Sequence, residues 1–281
     1  MKTVLLTMIL FTSQLILAQY NYPITQEKAV VDDYFGVKIT DDYRWMEDLK
    51  SPEVQDWFKK QSDYSHQVID KIPHRNELFN RMKEVKNMGG DHFDIIEQRK
   101  NIYFYTKAKK NENLPKLYSR DLSSENEILI FDPEFLGKGT QIMNFTVDSK
   151  AEKIAILFSK AGGEICNLRI LDLIAKKLLD DSIGPIWSEF PFEFTQDDKS
   201  IIYTKMSTSD PDSDMLLKDM KALIHEIGTD SKSDKKLASR EEYPELNALT
   251  EQFPDIYFTD DYKYIVLRLS SVKAETPIFV A

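Results

Sequence analysis

One unit recurs along the middle of this chain. Phe145-Thr146-Val147-Asp148 precedes Lys153-Ile154-Ala155-Ile156. Phe194-Thr195-Gln196-Asp197 precedes Lys199-Ser200-Ile201-Ile202-Tyr203, and Phe258-Thr259-Asp260-Asp261 precedes Lys263-Tyr264-Ile265-Val266. Each copy reads as a strand, an Asp/Lys turn and a second strand. Measured between their Phe residues, the copies lie 49 and 64 residues apart. Units of about 40–50 residues holding several short strands point to the blades of a β-propeller. The longer interval needs an insertion, and the Ser/Asp/Pro run at 207–214 is a natural loop for it. The clearest strands are expected at 102–107, 153–159, 200–205 and 264–269, separated by polar turns. The 16 Phe and 13 Tyr suit strands. With only nine Gly, the turns must lean on Asp, Asn, Ser and Lys.

The strand region divides into four blades, expected at 93–131, 141–179, 187–238 and 253–281. The last stops inside the apolar run Ile278-Phe279-Val280. An unclosed ring leaves strand edges with unpaired N–H and C=O groups, so the reading is an incomplete propeller over residues 91–281. A weak helical periodicity is present only at 215–223.

Ahead of the strands the pattern is helical. Ser51-Pro52-Glu53 is a helix start: a hydroxyl cap, Pro at the first helical position, then an acid at the positive dipole end. Val54, Trp57, Phe58, Tyr64, Val68 and Ile69 fall on or near one stripe, with Gln61 as its polar break. Pro73 ends this helix, and a second follows with Leu78, Phe79, Met82 and Val85 on one face. The arm, residues 19–90, thus carries an apolar face that something must cover. Residues 1–18 read as a cleavable secretory signal, with Lys2 ahead of an apolar stretch and Ala18 before the expected mature start at Gln19. The expected location is therefore outside the cytoplasm, periplasmic or secreted, with no membrane attachment after cleavage.

The net charge of −10 argues against nucleic acid and anionic membranes as partners, since both need a basic face. The single cysteine, Cys166, cannot form an internal disulfide and reads as a small buried residue; no Cys/His set has zinc spacing. Asp210, Asp212 and Asp214 alternate like a calcium loop, but Met215 stands where that loop wants Gly and Lys221 where it wants Glu. They are read as an ordinary loop, and no metal or cofactor is expected.

Several segments together resemble the prolyl oligopeptidase family. Asp41-Asp42-Tyr43-Arg44-Trp45-Met46-Glu47-Asp48, followed by Ser51-Pro52-Glu53-Val54 and Trp57, is similar to the family's D-P-Y-R-W-L-E-D opening and its helix, with Asp42 replacing Pro and Met46 replacing Leu. Leu223-Ile224-His225-Glu226-Ile227-Gly228-Thr229, with Asp234 after it, is similar to the family's Y-x-H-x-L-G-T and trailing Asp. Asn113-Leu114-Pro115-Lys116-Leu117-Tyr118 and Phe131-Asp132-Pro133 fit its first blade. The resemblance implies a mainly β fold, about four of seven propeller blades preceded by the short helical arm. It implies that the arm packs on an α/β-hydrolase domain outside this sequence, which carries a Ser, Asp, His triad.

By the same resemblance, the chain is expected to be the N-terminal and propeller portion of a serine peptidase that cleaves short peptides after proline. The propeller would gate substrate access, and the partners would be short proline-containing peptides. A related oligopeptidase cutting after Lys or Arg, or a non-catalytic propeller binding module, are the alternatives. No catalytic residue is assigned. No Gly-x-Ser-x-Gly elbow exists to present a serine to a base, and His66, His74, His92 and His225 read as structural or exposed. Ile170 and Phe253 are expected to line the substrate side of the propeller, on strand register alone.

Overall fold

A computed structural model describes residues 22–110, 112–124 and 126–281. The expected signal at 1–18 lies outside them. The chain divides into two compact units, one ending at Lys86 and one covering Asn87–Ala281.

In the first unit, β1 (Val30–Tyr34) and β2 (Val37–Asp41) form an antiparallel hairpin. Its two-residue turn places Phe35 and Gly36 at φ 56° and 89°, the left-handed backbone that such tight hairpins require. Helix α1 (Pro52–Ile69) starts where the cap chemistry puts it, and the Ser51 hydroxyl accepts from the Val54 N–H at 3.2 Å. The polar break in its stripe has a use. Gln61 Nε2 donates to the Pro23 carbonyl at 3.1 Å, and Trp57 Nε1 donates to Thr25 Oγ1 at 3.0 Å. Residues 22–28 are thereby tied along the helix, and Tyr22 packs on Tyr64 with ring centroids 5.5 Å apart. Arg44, in the expected opening motif, pairs with Asp32, with Asp41 at 3.0 Å and with Glu47 at 3.3 Å. This clamps the hairpin to the turn that precedes α1. In α2 (Arg75–Met88) no residue is buried, and Leu78, Phe79, Met82, Val85 and Met88 are all exposed.

The second unit is built of four antiparallel sheets, each a meander of consecutive strands. The first holds β3 (His92–Arg99), β4 (Ile102–Ala108), β5 (Lys116–Asp121) and β6 (Glu127–Phe131). The second holds β7 (Thr140–Val147), β8 (Lys153–Lys160), β9 (Ile165–Asp172) and β10 (Lys177–Trp187). The third holds β11 (Phe192–Phe194), β12 (Ser200–Lys205), β13 (Lys221–Glu226) and β14 (Lys235–Ala238). The fourth has three strands, β15 (Phe253–Phe258), β16 (Ile265–Ser270) and β17 (Ile278–Val280). The first strands of successive sheets, β3, β7, β11 and β15, approach one another, as the inner strands of propeller blades do at the hub.

Apolar cores lie between the blades. Phe104, Leu117 and Phe131 of the first blade pack on Phe145, Ile156 and Phe158 of the second. Leu168, Ile170 and Ile183 of the second meet Ile201, Tyr203 and Leu223 of the third. Ile202, Ala222 and Ala238 of the third meet Ile256 of the fourth. A blade sandwiched on both faces needs apolar residues at consecutive positions. This is why β8 is buried without a break from Ile154 to Ser159 instead of alternating.

One boundary and one local expectation differ from the structure, and the third repeat is longer for an additional reason. β10 continues to Trp187, so Trp187 closes the second blade and does not open the third. Two register shifts, between Leu178 and Ser182 and between Ile183 and Ile186, interrupt the strand and break its periodicity. Residues 215–223 form no helix; turns give way to β13 at Lys221. The loop at 207–214 does lie between β12 and β13, but the connection at 239–252 also lengthens the third repeat.

The repeat itself is equivalenced differently in three dimensions. In each of three blades a six-residue turn links the first two strands, at 148–153, 195–200 and 259–264. Its first N–H donates to the carbonyl of its last residue: Asp148 to Lys153 at 3.0 Å, Thr195 to Ser200 at 2.9 Å, Thr259 to Tyr264 at 3.0 Å. Its fourth residue is left-handed, with Ala151, Asp198 and Tyr262 at φ 56°, 60° and 56°. The first side chain closes the turn from within. Thr195 and Thr259 accept from Ser200 N and Tyr264 N through Oγ1, and Asp148 does the same for Lys153 N through Oδ1. So Val147-Asp148, not Phe145-Thr146, matches Phe194-Thr195. The slip is two residues, which keeps every side chain on its own face.

Candidate functional site

The ends of β3, β7, β11 and β15 bring charged groups together at one end of the hub. An inner strand has no neighbour on its hub side, so its edge N–H groups need side-chain acceptors. Glu97 on β3 accepts from the Val147 N–H at 3.1 Å and from the Thr146 hydroxyl at 3.4 Å, while Arg99 Nε donates to the Val147 carbonyl at 3.1 Å. Asp198 accepts from the Ser149 N–H at 2.9 Å and the Ser149 hydroxyl at 2.6 Å. Glu193 on β11 accepts from the Phe258 N–H at 3.0 Å. Each carboxylate thus staples its blade to the backbone of a neighbouring blade.

Burial holds the Glu97 carboxyl above the usual range, against the pull of Arg99 at 2.5 Å, and burial likewise raises Glu193. For an acid raised in the folded state, protonation favours folding. The ionised form therefore costs stability above the raised value, and that cost is relieved as pH falls through it. Glu97→Gln keeps an acceptor for Val147 N–H but does not titrate. The stability of the natural chain relative to this variant is expected to increase as the pH is lowered from 7 toward 4.5, in urea denaturation at each pH. Parallel pH profiles would show that Glu97 carries no such cost.

A second charged assembly lies between the second and third blades. His225 on β13 is fully buried. Its Nε2 is 2.8 Å from Asp181 Oδ1 on β10, and its Nδ1 is 2.7 Å from Asp234 Oδ1. Tyr203 donates its hydroxyl to Asp234 Oδ2 at 2.8 Å, and the Gly228 N–H donates to Asp181 Oδ1 at 2.6 Å. Burial and the hydrogen bond to Asp234 both drive the Tyr203 phenol above its ordinary value. The expected segment 223–229 with Asp234 is thus one buried polar network, whose members satisfy one another across strands. An Asp–His pair suggests half of a hydrolytic triad. Here both ring nitrogens face carboxylates, so neither is left to take a proton from a nucleophile. His74 lies on the surface 3.0 Å from Glu77.

The remaining candidates are placed as follows. Ile170 is fully buried in the core between the second and third blades. Phe253, at the start of β15, is half-buried and packs against the edge of that core, its ring centroid 5.7 Å from that of Phe190. Both residues thus belong to the packing between the second, third and fourth blades, Ile170 inside it and Phe253 at its edge. Cys166 is buried, and burial pushes its thiol up to about 11. The Asp210 carboxylate closes a turn by accepting from the Asp212 N–H at 3.0 Å. Among the described residues no group of three His, Cys, Asp or Glu side chains is set to hold a metal ion. Sequence reasoning missed the staples: Glu97 and Glu193 sit in no motif, and their partners are about fifty residues or more away.

Residues 22–281 match the family model described as prolyl oligopeptidase, N-terminal β-propeller domain. The chain is 24% identical over 268 residues to the prolyl endopeptidase of Elizabethkingia meningoseptica, covering 92% of this chain and 36% of that protein. Similarity to the prolyl endopeptidase of Dictyostelium discoideum is 24% over 168 residues, covering 52% of this chain and 22% of the relative. Among solved structures, one from a study of two prolyl endopeptidases and their inter-domain dynamics superposes with a TM-score of 0.77 at 25% identity, covering 92% of this chain and 38% of that one. Prolyl oligopeptidase B of Galerina marginata, bound to a 35-residue hydrolysis and macrocyclization substrate, superposes with a TM-score of 0.78 at 18% identity, covering 94% and 39%. The chain therefore spans little more than a third of the length of the Elizabethkingia relative and of the two solved structures, and its match to the Dictyostelium relative covers less.

Proposed function

The chain belongs to the prolyl oligopeptidase family, as its N-terminal β-propeller part, and from that premise we propose that it is the propeller-bearing portion of an exported serine peptidase that cleaves short peptides after proline. The observation that carries this reading is the family match over residues 22–281, together with relatives that are prolyl endopeptidases. The buried histidine offers no free base to a nucleophile, because it is enclosed by two carboxylates. Hydrolysis is therefore assigned to an α/β-hydrolase domain outside this sequence, whose serine would form an acyl-enzyme. The propeller is assigned the task of admitting short peptides and excluding folded proteins. The exposed apolar face of α2 is assigned to contact with that same domain. Ile170 and Phe253 were expected on the substrate side; only Phe253 keeps surface to offer there.

The test is peptidase assay of the complete gene product beside the 281-residue chain. The complete product is expected to cleave a chromogenic peptide after proline and to leave a folded protein intact, while the chain alone turns over neither. Cleavage only after Lys or Arg would move the protein to the sister branch. No turnover of any proline peptide by the complete product would overturn the reading. N-terminal sequencing of the product from the periplasm or medium is expected to begin at Gln19.

A further inference from the structure

A cleft of about 320 Å³ opens on the third blade, lined by Lys205, Lys221, Lys232, Lys236, Ser207 and Ser231 above the carboxylates of Asp219 and Asp234. Its construction follows from strand register. Lys205 on β12 lies directly opposite Lys221 on β13, and Lys236 on β14 lies opposite Leu223, two residues along the same face of β13. The pleat therefore puts three ammonium-bearing side chains on one face of the sheet, and Lys232 joins them from the short helical turn Ser231–Ser233. Like charges directly opposite on neighbouring strands repel. A chain with net charge −10 has no general need for this concentration of lysines.

The two acids lower the positive charge of the cleft, but three of their four oxygens are already turned to other partners. Asp234 accepts from Tyr203 on one oxygen and faces His225 Nδ1 with the other. Asp219 Oδ1 accepts from Arg240 Nε at 2.8 Å. Lys221 and Lys236 reach outward to Glu241 at 3.3 Å and Glu242 at 2.6 Å, neither of which lines the cleft. Among the described residues, Lys205 and Lys232 have no carboxylate within ion-pair distance. Four ammonium groups around an open volume, two of them without a carboxylate partner among the described residues, form a donor set for a compact, multiply charged oxyanion.

We propose that this cleft binds a phosphate-class oxyanion, either free phosphate or a phosphoryl group on a chain. Lys205 and Lys232 would give the principal contacts, and Lys221 would turn inward from Glu241.

The test uses the full chain, with inorganic phosphate as probe and potassium chloride at matched ionic strength as reference. Phosphate is expected to raise the melting temperature and broaden its ³¹P resonance, and acetate is not. In Lys205→Gln and in Lys232→Gln the apparent affinity is expected to fall by about tenfold, the loss of one charge-assisted contact. Melting without phosphate verifies that each variant folds, and Lys232, on an exposed turn, serves if the half-buried Lys205 does not tolerate change. A phosphoserine peptide that competes with phosphate would support a chain-borne ligand, and phosphate binding without such competition would support the free ion. Equal stabilisation by chloride, or unaltered phosphate affinity in a folded variant, would overturn the proposal.

Discussion

Replacing His225 with alanine is expected to cost the propeller unit about 3–5 kcal/mol, toward the lower figure. The ring is fully buried between Asp181 and Asp234, each within 2.8 Å of one of its nitrogens. Alanine would leave two carboxylates, themselves almost without exposure, facing a void where a donor stood. Breaking a buried pair by removing one member costs more than the pair is worth, because the remaining charge stays desolvated. Two donors moderate the loss, since Gly228 N–H stays on Asp181 and the Tyr203 hydroxyl stays on Asp234. Urea denaturation followed by tryptophan fluorescence would measure it, with Trp187 packed against this same core as reporter. Tyr203→Phe removes only one donor and is expected to cost about 1–2 kcal/mol. A loss below about 1 kcal/mol for His225→Ala would mean that water or relaxation satisfies both carboxylates.

Ile170→Ala is expected to destabilise the same unit by about 2–5 kcal/mol. Ile170 has no exposed surface and sits among Leu168, Ile183 and Ile201, where two blades meet. Sheets on both sides limit collapse into the space left behind, which favours the upper half of the range. A residue lining a substrate channel would behave otherwise, changing the Michaelis constant of the complete enzyme with stability nearly intact. Phe253→Ala provides the contrast. Phe253 is half-buried at the edge of the same core, so its stability loss is expected to be the smaller of the two. The reverse order in chemical denaturation would show that blade packing at Ile170 is looser than its burial implies.

These two positions show how far strand register could be read from sequence. Alternation places Ile170 on one face of β9, but both faces of that blade meet another blade. A face that points at a neighbouring sheet and one that points at the channel carry the same apolar residues. His225 is similar: its motif was visible, whereas its partner Asp181 is 44 residues away on a strand whose periodicity is broken by two register shifts. Glu97, Glu193 and the four lysines of the cleft belong to no motif.

What the sequence by itself determined is local. Ser51-Pro52 began α1 because the cap hydroxyl and its acceptor geometry lie within three residues. The Thr and Asp of the repeat closed turns because the groups they bind are five residues away. Four successive blades and a helical arm follow from such signals. Only the tertiary structure decided which copies of the repeat are equivalent, since a two-residue slip leaves the hydrophobic pattern unchanged. It also decided that β10 runs on to Trp187, that acids of one blade bind the backbone of the next, and that lysines from three strands share one cleft. Those outcomes depend on which sheets stack and which strand edges go unpaired. Both are set by contacts between residues far apart in the chain, where no sequence period reaches.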